Sequence, residues 1–271
     1  MNENVIGRDI LVENPAAHVK LVRLNRPHSL NALTIEMVEA LVALFAELRQ
    51  DRDCRVLIIT GQSGFCAGLD LKAAAIRNAQ VKPSSLRRMA FQEMFAGMIL
   101  GLRAMPQIVV AGINGACAGA GFGIALASDV RIASPAAKFL VGASRIGLSA
   151  GECGISYHLP RIVGAGRAFD IMITGRNVDA TEAEHIGLVT ALVPETHIED
   201  ALLDYASRTV ALAPFSSRVT KKMLWNNLNA SSLESALELE NHAQVVAAMS
   251  PDYAEATIAF AEKRKPNFTG E

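Results

Sequence analysis

The chain has 271 residues, with 51% hydrophobic and 20% charged residues and a formal net charge of −1. That length allows one large core, or a large domain with a small appendage, and the composition excludes a disordered chain. Near-zero charge gives no electrostatic pull towards nucleic acid or an anionic membrane, so neither is expected as a partner.

In chain order, His18–Leu24 reads as a strand, with an imperfect alternation of apolar and polar residues. From Thr34 to Gln50, Ile35, Val38, Leu41, Val42, Phe45 and Leu48 recur at helical spacing, with Thr34 a fitting N-cap. Val56–Thr60 (VLIIT) and Ile108–Ile113 (IVVAGI) are short unbroken apolar runs, the pattern of strands covered on both faces. Val130–Ala133 and Lys138–Val141 are weaker strand candidates. Ala104–Ser128 carries no formal charge over 25 residues, enough to cross a bilayer, but Pro106, Asn114 and five glycines would leave its backbone poorly satisfied in lipid. A buried strand, loop and helix is expected there. Past Pro194, helical patterns follow at His197–Leu212, Ser216–Asn227, Leu233–Met249 and Tyr253–Lys263. The expected organisation is an α/β core over residues 1–195 and a helical carboxy-terminal region over residues 196–271.

Cys54, Cys66, Cys117 and Cys153 show neither CxxC nor zinc-ligand spacing, and the first residues show no secretory pattern. Reduced thiols, no metal and a cytoplasmic location are expected.

Two small-residue loops each follow a buried run. The first is Phe65-Cys66-Ala67-Gly68-Leu69-Asp70. The second is Asn114-Gly115-Ala116-Cys117-Ala118-Gly119-Ala120-Gly121-Phe122-Gly123. Loops beyond strand ends are where open α/β sheets bind ligands, and amides at a helix start favour negative charge. Gly119-x-Gly121-x-Gly123 is not GxGxxG, and the chain contains no GxxxxGK[ST] motif, so neither a dinucleotide fingerprint nor a P-loop is supported. Taken singly, each loop could use its glycines only for tight turns.

Together the loops resemble the two oxyanion-hole segments of the crotonase (enoyl-CoA hydratase/isomerase) superfamily. Leu24–Leu33 (LNRPHSLNAL), Leu148–Gly164, Thr174–Val189 and Ala259–Pro266 extend the resemblance over nearly the whole chain. It implies a ClpP/crotonase-like ββα spiral core with a helical trimerisation region, an acyl-CoA thioester as substrate, and homotrimers or hexamers. No separate cofactor is implied, coenzyme A being part of the substrate. By position, the amides of Leu69 and Ala120 would polarise the thioester carbonyl, beside Gly119. The Ala67-Gly68-Leu69-Asp70 backbone would line the adenine site. Lys72, Phe260 and Lys263 sit where members of the family contact the CoA moiety, although Lys72 and Lys263 also read as ordinary surface lysines.

Hydratases of this family use two glutamates as acid and base. The matching positions here are Gly123 and Ala143, neither of which can transfer a proton. Glu152 remains nearby, at about the place where double-bond isomerases of the family carry a carboxylate. A lone carboxylate in an apolar pocket suits a proton shuttle, while a helix cap or an ion pair is the structural alternative for Glu152. Tyr157 and His158 are weaker candidates, Ser144 and Ser156 lack GxSxG context, and Arg145 could line a pocket. The expected activity is double-bond isomerisation rather than hydration. The alternatives are a non-catalytic acyl-CoA binder, or a homologue that cleaves C–C bonds or hydrolyses thioesters.

Overall fold

The structure is a computed structural model that describes residues 4–5, 8–79 and 84–270. Among the described residues, ten strands build two sheets. The larger contains β1 (Asn4–Val5), β2 (Ile10–Ala16), β3 (Val19–Leu24), β4 (Val56–Gly61), β5 (Ile108–Ile113), β7 (Val130–Ala133) and β10 (Ala191–Leu192), in the order β1-β2-β3-β4-β5-β7-β10. Strands β1 to β3 pair antiparallel, and every pairing from β3 onward is parallel. The smaller sheet holds β6 (Ala116–Ala118), β8 (Lys138–Leu140) and β9 (Asn177–Asp179).

The unbroken apolar runs are the central strands. In β4, Leu57 and Ile59 face the main core while Val56 and Ile58 face a second, smaller one. In β5, Val109 and Ala111 face the main core and Val110 the second. Both faces are dry, so no alternation of polar residues survives. The main core is closed by α1 (Ile35–Leu48), α3 (Ser85–Arg103) and α4 (Ala120–Ala127), to which Met37, Leu41, Phe45, Met98, Leu102 and Phe122 contribute. Thr34 caps α1 as expected, its side chain accepting from the Met37 N–H at 3.2 Å. Between them lies α2 (Leu71–Ala79).

The uncharged Ala104–Ser128 stretch is β5, β6 and α4 in succession, a ββα turn that steps from the larger sheet to the smaller one and into a helix buried along its whole length. Among the described residues, no helix is long and apolar enough to cross a membrane. Helices α5 (Ile155–Val163), α6 (Ala165–Thr174) and α7 (Ala180–His185) follow. Then α8 (Ile198–Val210) lays Ile198, Leu202 and Ala206 on the second face of the larger sheet, so this helix packs as part of the α/β layers. The chain is thus a mixed α/β protein whose carboxy-terminal part is helical: α9 (Pro214–Asn227), α10 (Leu233–Ala248) and α11 (Pro251–Glu262).

Candidate active site

The two small-residue loops meet at the end of the larger sheet. Cys66 donates its N–H to the Ala116 carbonyl at 2.7 Å and accepts from the Ala118 N–H at 2.9 Å, a short parallel bridge to Cys117. Gly121 has no room for a side chain, because a Cβ there would run into Cys66. The first loop is held from its other side by Asn31, buried and in the left-handed region at φ +54°. Its amide donates to the carbonyls of Gln62 (3.0 Å) and Gly64 (2.8 Å) and accepts from the Arg26 N–H (2.7 Å). Arg26 also pairs with Asp70 at 3.1 Å. Asp70 in turn accepts from the Ala73 N–H at the start of α2. Asn31 and Arg26 both lie within the LNRPHSLNAL segment, where no local pattern marks Asn31 as the anchor of a loop about thirty residues away.

The geometry of the two donors follows from these ties. Leu33 bridges Leu69 by donating to the Gly68 carbonyl (2.7 Å) and accepting from the Asp70 N–H (2.9 Å). In a parallel bridge of this kind the N–H of the middle residue, Leu69, points away from Leu33, towards the second loop. Ala120 is the first residue of α4, so its N–H has no partner within the helix. Among the described residues, neither amide donates to a protein acceptor. A glycine with positive φ precedes each donor, Gly68 at +89° and Gly119 at +49°. A Cβ on Gly68 would stand 2.8 Å from the Ala118 oxygen and 3.4 Å from the Ala120 nitrogen, so the two loops approach closely at this glycine. Two amides without a protein acceptor, one at the positive end of a buried helix, are donors that favour a negative charge placed against them.

Glu152 stands at this site. A Cβ built on Gly119 would lie 3.5 Å from Glu152 Oε1. The carboxylate makes no ion pair or hydrogen bond among the described residues, and Gly154, not Glu152, is the cap of α5, so neither structural alternative holds. Burial pushes its pKa above the ordinary carboxylate value. Ala143 is buried, and Gly123 faces Cys153 across a gap with no space for a side chain. Among the described residues, no cluster of three or more metal-ligating side chains occurs.

The other candidates lie elsewhere. His158 is buried against Trp225 (ring centroids 5.9 Å apart), and its pKa is pushed down to about 4 by burial and then by Arg103, Arg131 and Arg161, so it packs as a neutral ring. The Tyr157 hydroxyl accepts from Asn229 at 2.7 Å. Arg145 and Ser156 are exposed, and the Ser144 hydroxyl is buried without a partner among the described residues. Lys72 is exposed on the first turn of α2, next to the Leu69 loop. Phe260 and Lys263 are exposed at the end of α11. The tail after α11 returns to Arg55, whose Nη2 donates to the Phe268 carbonyl at 3.3 Å, just before the first residue of β4. The two small-residue loops follow the last residues of β4 and β5, at the opposite strand ends. Among the described residues, no backbone hydrogen bond joins Phe260 or Lys263 to Leu69 or Ala120.

Comparison with known proteins shows the family. The family model for enoyl-CoA hydratase/isomerase matches residues 14–271. A probable enoyl-CoA hydratase of Mycobacterium tuberculosis is 38% identical over 268 residues, covering 97% of this chain and 93% of that one. The 1,2-epoxyphenylacetyl-CoA isomerase of Escherichia coli is 32% identical over 255 residues, covering 93% and 95%. The crystal structure of enoyl-CoA hydratase from Bacillus anthracis superposes with a TM-score of 0.91 at 30% identity, covering 97% of this chain and all of that one. The chain belongs to the enoyl-CoA hydratase/isomerase family of the crotonase superfamily.

Proposed function

We propose that this enzyme shifts a carbon–carbon double bond in an acyl-CoA thioester, with Glu152 carrying the proton. The observation that carries this reading is the unpaired Glu152 carboxylate beside Gly119, the residue preceding the second oxyanion donor. With a 3-enoyl thioester bound, the carbonyl oxygen accepts from the Leu69 and Ala120 amides. The Glu152 carboxylate takes a proton from C2, and the released electron pair forms the enolate. The enolate then reforms the carbonyl, its electrons pass to C4 as the double bond moves to C2–C3, and Glu152 returns its proton to C4. Carboxylate and net charge are restored. Donors set in advance for the enolate oxygen supply about 2.7–4 kcal/mol each in a comparable oxyanion hole. The raised pKa brings carboxylic acid and carboxylate closer in energy, as a group that must take and return one proton requires.

Two features support this chemistry over hydration, which needs a second group to activate water. Gly123 and Ala143 carry no proton-transfer group, and among the described residues burial, not a neighbouring carboxylate, raises the Glu152 pKa. The exposed apolar residues Leu233, Val245, Met249 and Phe260 support association of copies into trimers or hexamers, through which Phe260 and Lys263 would reach a neighbour's CoA.

The test is to follow 2-enoyl-, 3-enoyl- and dienoyl-CoA substrates with the native enzyme and with Glu152→Gln. Isomerisation that disappears in the variant is the expected result. Rapid hydration of 2-enoyl-CoA, undiminished in Glu152→Gln, would overturn the reading. Tight binding of every substrate without turnover would favour a non-catalytic binder.

A further inference from the structure

Glu152 reaches Gly119 through an unusual turn. The Glu152 carbonyl accepts from the Ile155 N–H at 2.8 Å, closing a four-residue turn whose central residues, Cys153 and Gly154, have φ of +47° and +73°. Positive φ at both central positions is the type I′ pattern, which glycine, asparagine and aspartate adopt readily and cysteine does not. A non-glycine residue held there is strained and persists only where its surroundings over-determine it.

Those surroundings are on α4. A Cβ on Gly123 would stand 2.6 Å from the Cys153 carbonyl oxygen, 2.7 Å from the Cys153 Cβ and 3.3 Å from Ile99 Cδ1. Two of the three are main-chain or Cβ atoms that cannot swing aside. The Cys153 turn therefore lies in the space that any side chain at 123 would fill. From the opposite side, a Cβ on Gly154 would meet the rim of His158 at 3.3 Å and Ile99 Cγ2 at 3.5 Å. The turn is clamped between α4, α3 and α5, and the residue before it is Glu152.

We infer that Gly123 and Cys153 are the positioning residues for the Glu152 carboxylate: the absence of a side chain at 123 is the seat that lets the strained turn lie on α4 and hold Glu152 beside Gly119. In this conformation a side chain at 123 would collide with the Cys153 turn that carries Glu152. The inference rests on the reading of Glu152 as proton carrier for its kinetic consequence, and on packing alone for its structural one.

Gly123→Ala separates the two. Cys54, Cys66 and Cys117 are buried, whereas Cys153 is half-buried with its thiol pushed up to about 12 by burial, Glu152 and Cys66, so a maleimide should label it slowly in the native enzyme. Displacing the turn exposes it. With Cys153→Ser as the control that assigns the signal, Gly123→Ala is expected to label at least about tenfold faster. Its kcat on 3-enoyl-CoA should fall about 10²-fold or more with KM within a few-fold, since the amides that bind the thioester are untouched. Unchanged labelling overturns the seat, whatever the kinetics. Faster labelling with native kcat leaves the seat standing and removes Glu152 from the chemistry. If Gly123→Ala does not fold, Cys153→Val loads the same contact from the loop side. It should show the same fall in kcat at preserved KM and lose the acidic limb of the pH–rate profile, and native values for both would overturn the inference.

Discussion

Two carboxylates stand at opposite ends of α4, and the protein treats them in opposite ways. Asp129, just past its carboxy-terminal end, is saturated. It accepts from the Val109 N–H (2.8 Å) and the Trp225 indole (2.8 Å), and it pairs with Lys221 (2.6 Å) and Arg103 (3.3 Å). Arg103 also lies 3.1 Å from the Trp225 ring centroid. Glu152, at the amino-terminal end, has none of this among the described residues. A buried charge that is fully paired is structural, and here it fastens α9 to the sheet. A carboxylate left unpaired beside free amides has its proton affinity available for chemistry.

Breaking the saturated end should do the most damage. Asp129→Ala leaves Lys221 and Arg103 uncompensated, and a loss of about 3–5 kcal/mol is expected from urea unfolding. Breaking the unsaturated end should be nearly silent in that assay and severe in another: Glu152→Gln should lower isomerase kcat about 10²–10⁴-fold with the unfolding midpoint little changed. Equal loss of stability in both variants would erase the distinction. Trp225→Phe removes one hydrogen bond to a charged acceptor, so about 1.5–3 kcal/mol of stability should go, with kcat retained.

The smallest effect concerns pH. The folded pKa of Glu152 is raised, so the folded state binds its proton more tightly than the unfolded chain does. The resulting destabilisation is absent below the unfolded carboxylate pKa and grows as pH rises towards the folded one. Glu152→Gln should therefore raise the melting temperature at pH 7 relative to the native enzyme, and the gain should vanish near pH 3. A gain that is independent of pH would mean that the carboxylate is not desolvated.

Much of this was legible in the sequence. VLIIT and IVVAGI read as strands covered on both faces, and Thr34 before an amphipathic run reads as a helix start, because these depend on neighbours in the chain. The glycines before Leu69 and Ala120 were visible as loops, and the ordered resemblance from Leu24 to Pro266 carried the family. That Gly123 and Ala143 carry no proton-transfer group is plain from their residue types.

Tertiary structure decided the rest. Asn31 tying the first loop, Lys221 and Trp225 reaching Asp129 across about ninety residues, and Cys153 lying on Gly123 join positions whose separation follows no period. Local pattern specifies what a segment becomes, because propensity and burial act over a few residues. Whether a carboxylate is neutralised or left free depends on which distant groups the packing brings within about 3 Å of it, the range at which a hydrogen bond forms. That fact alone separated Asp129 from Glu152.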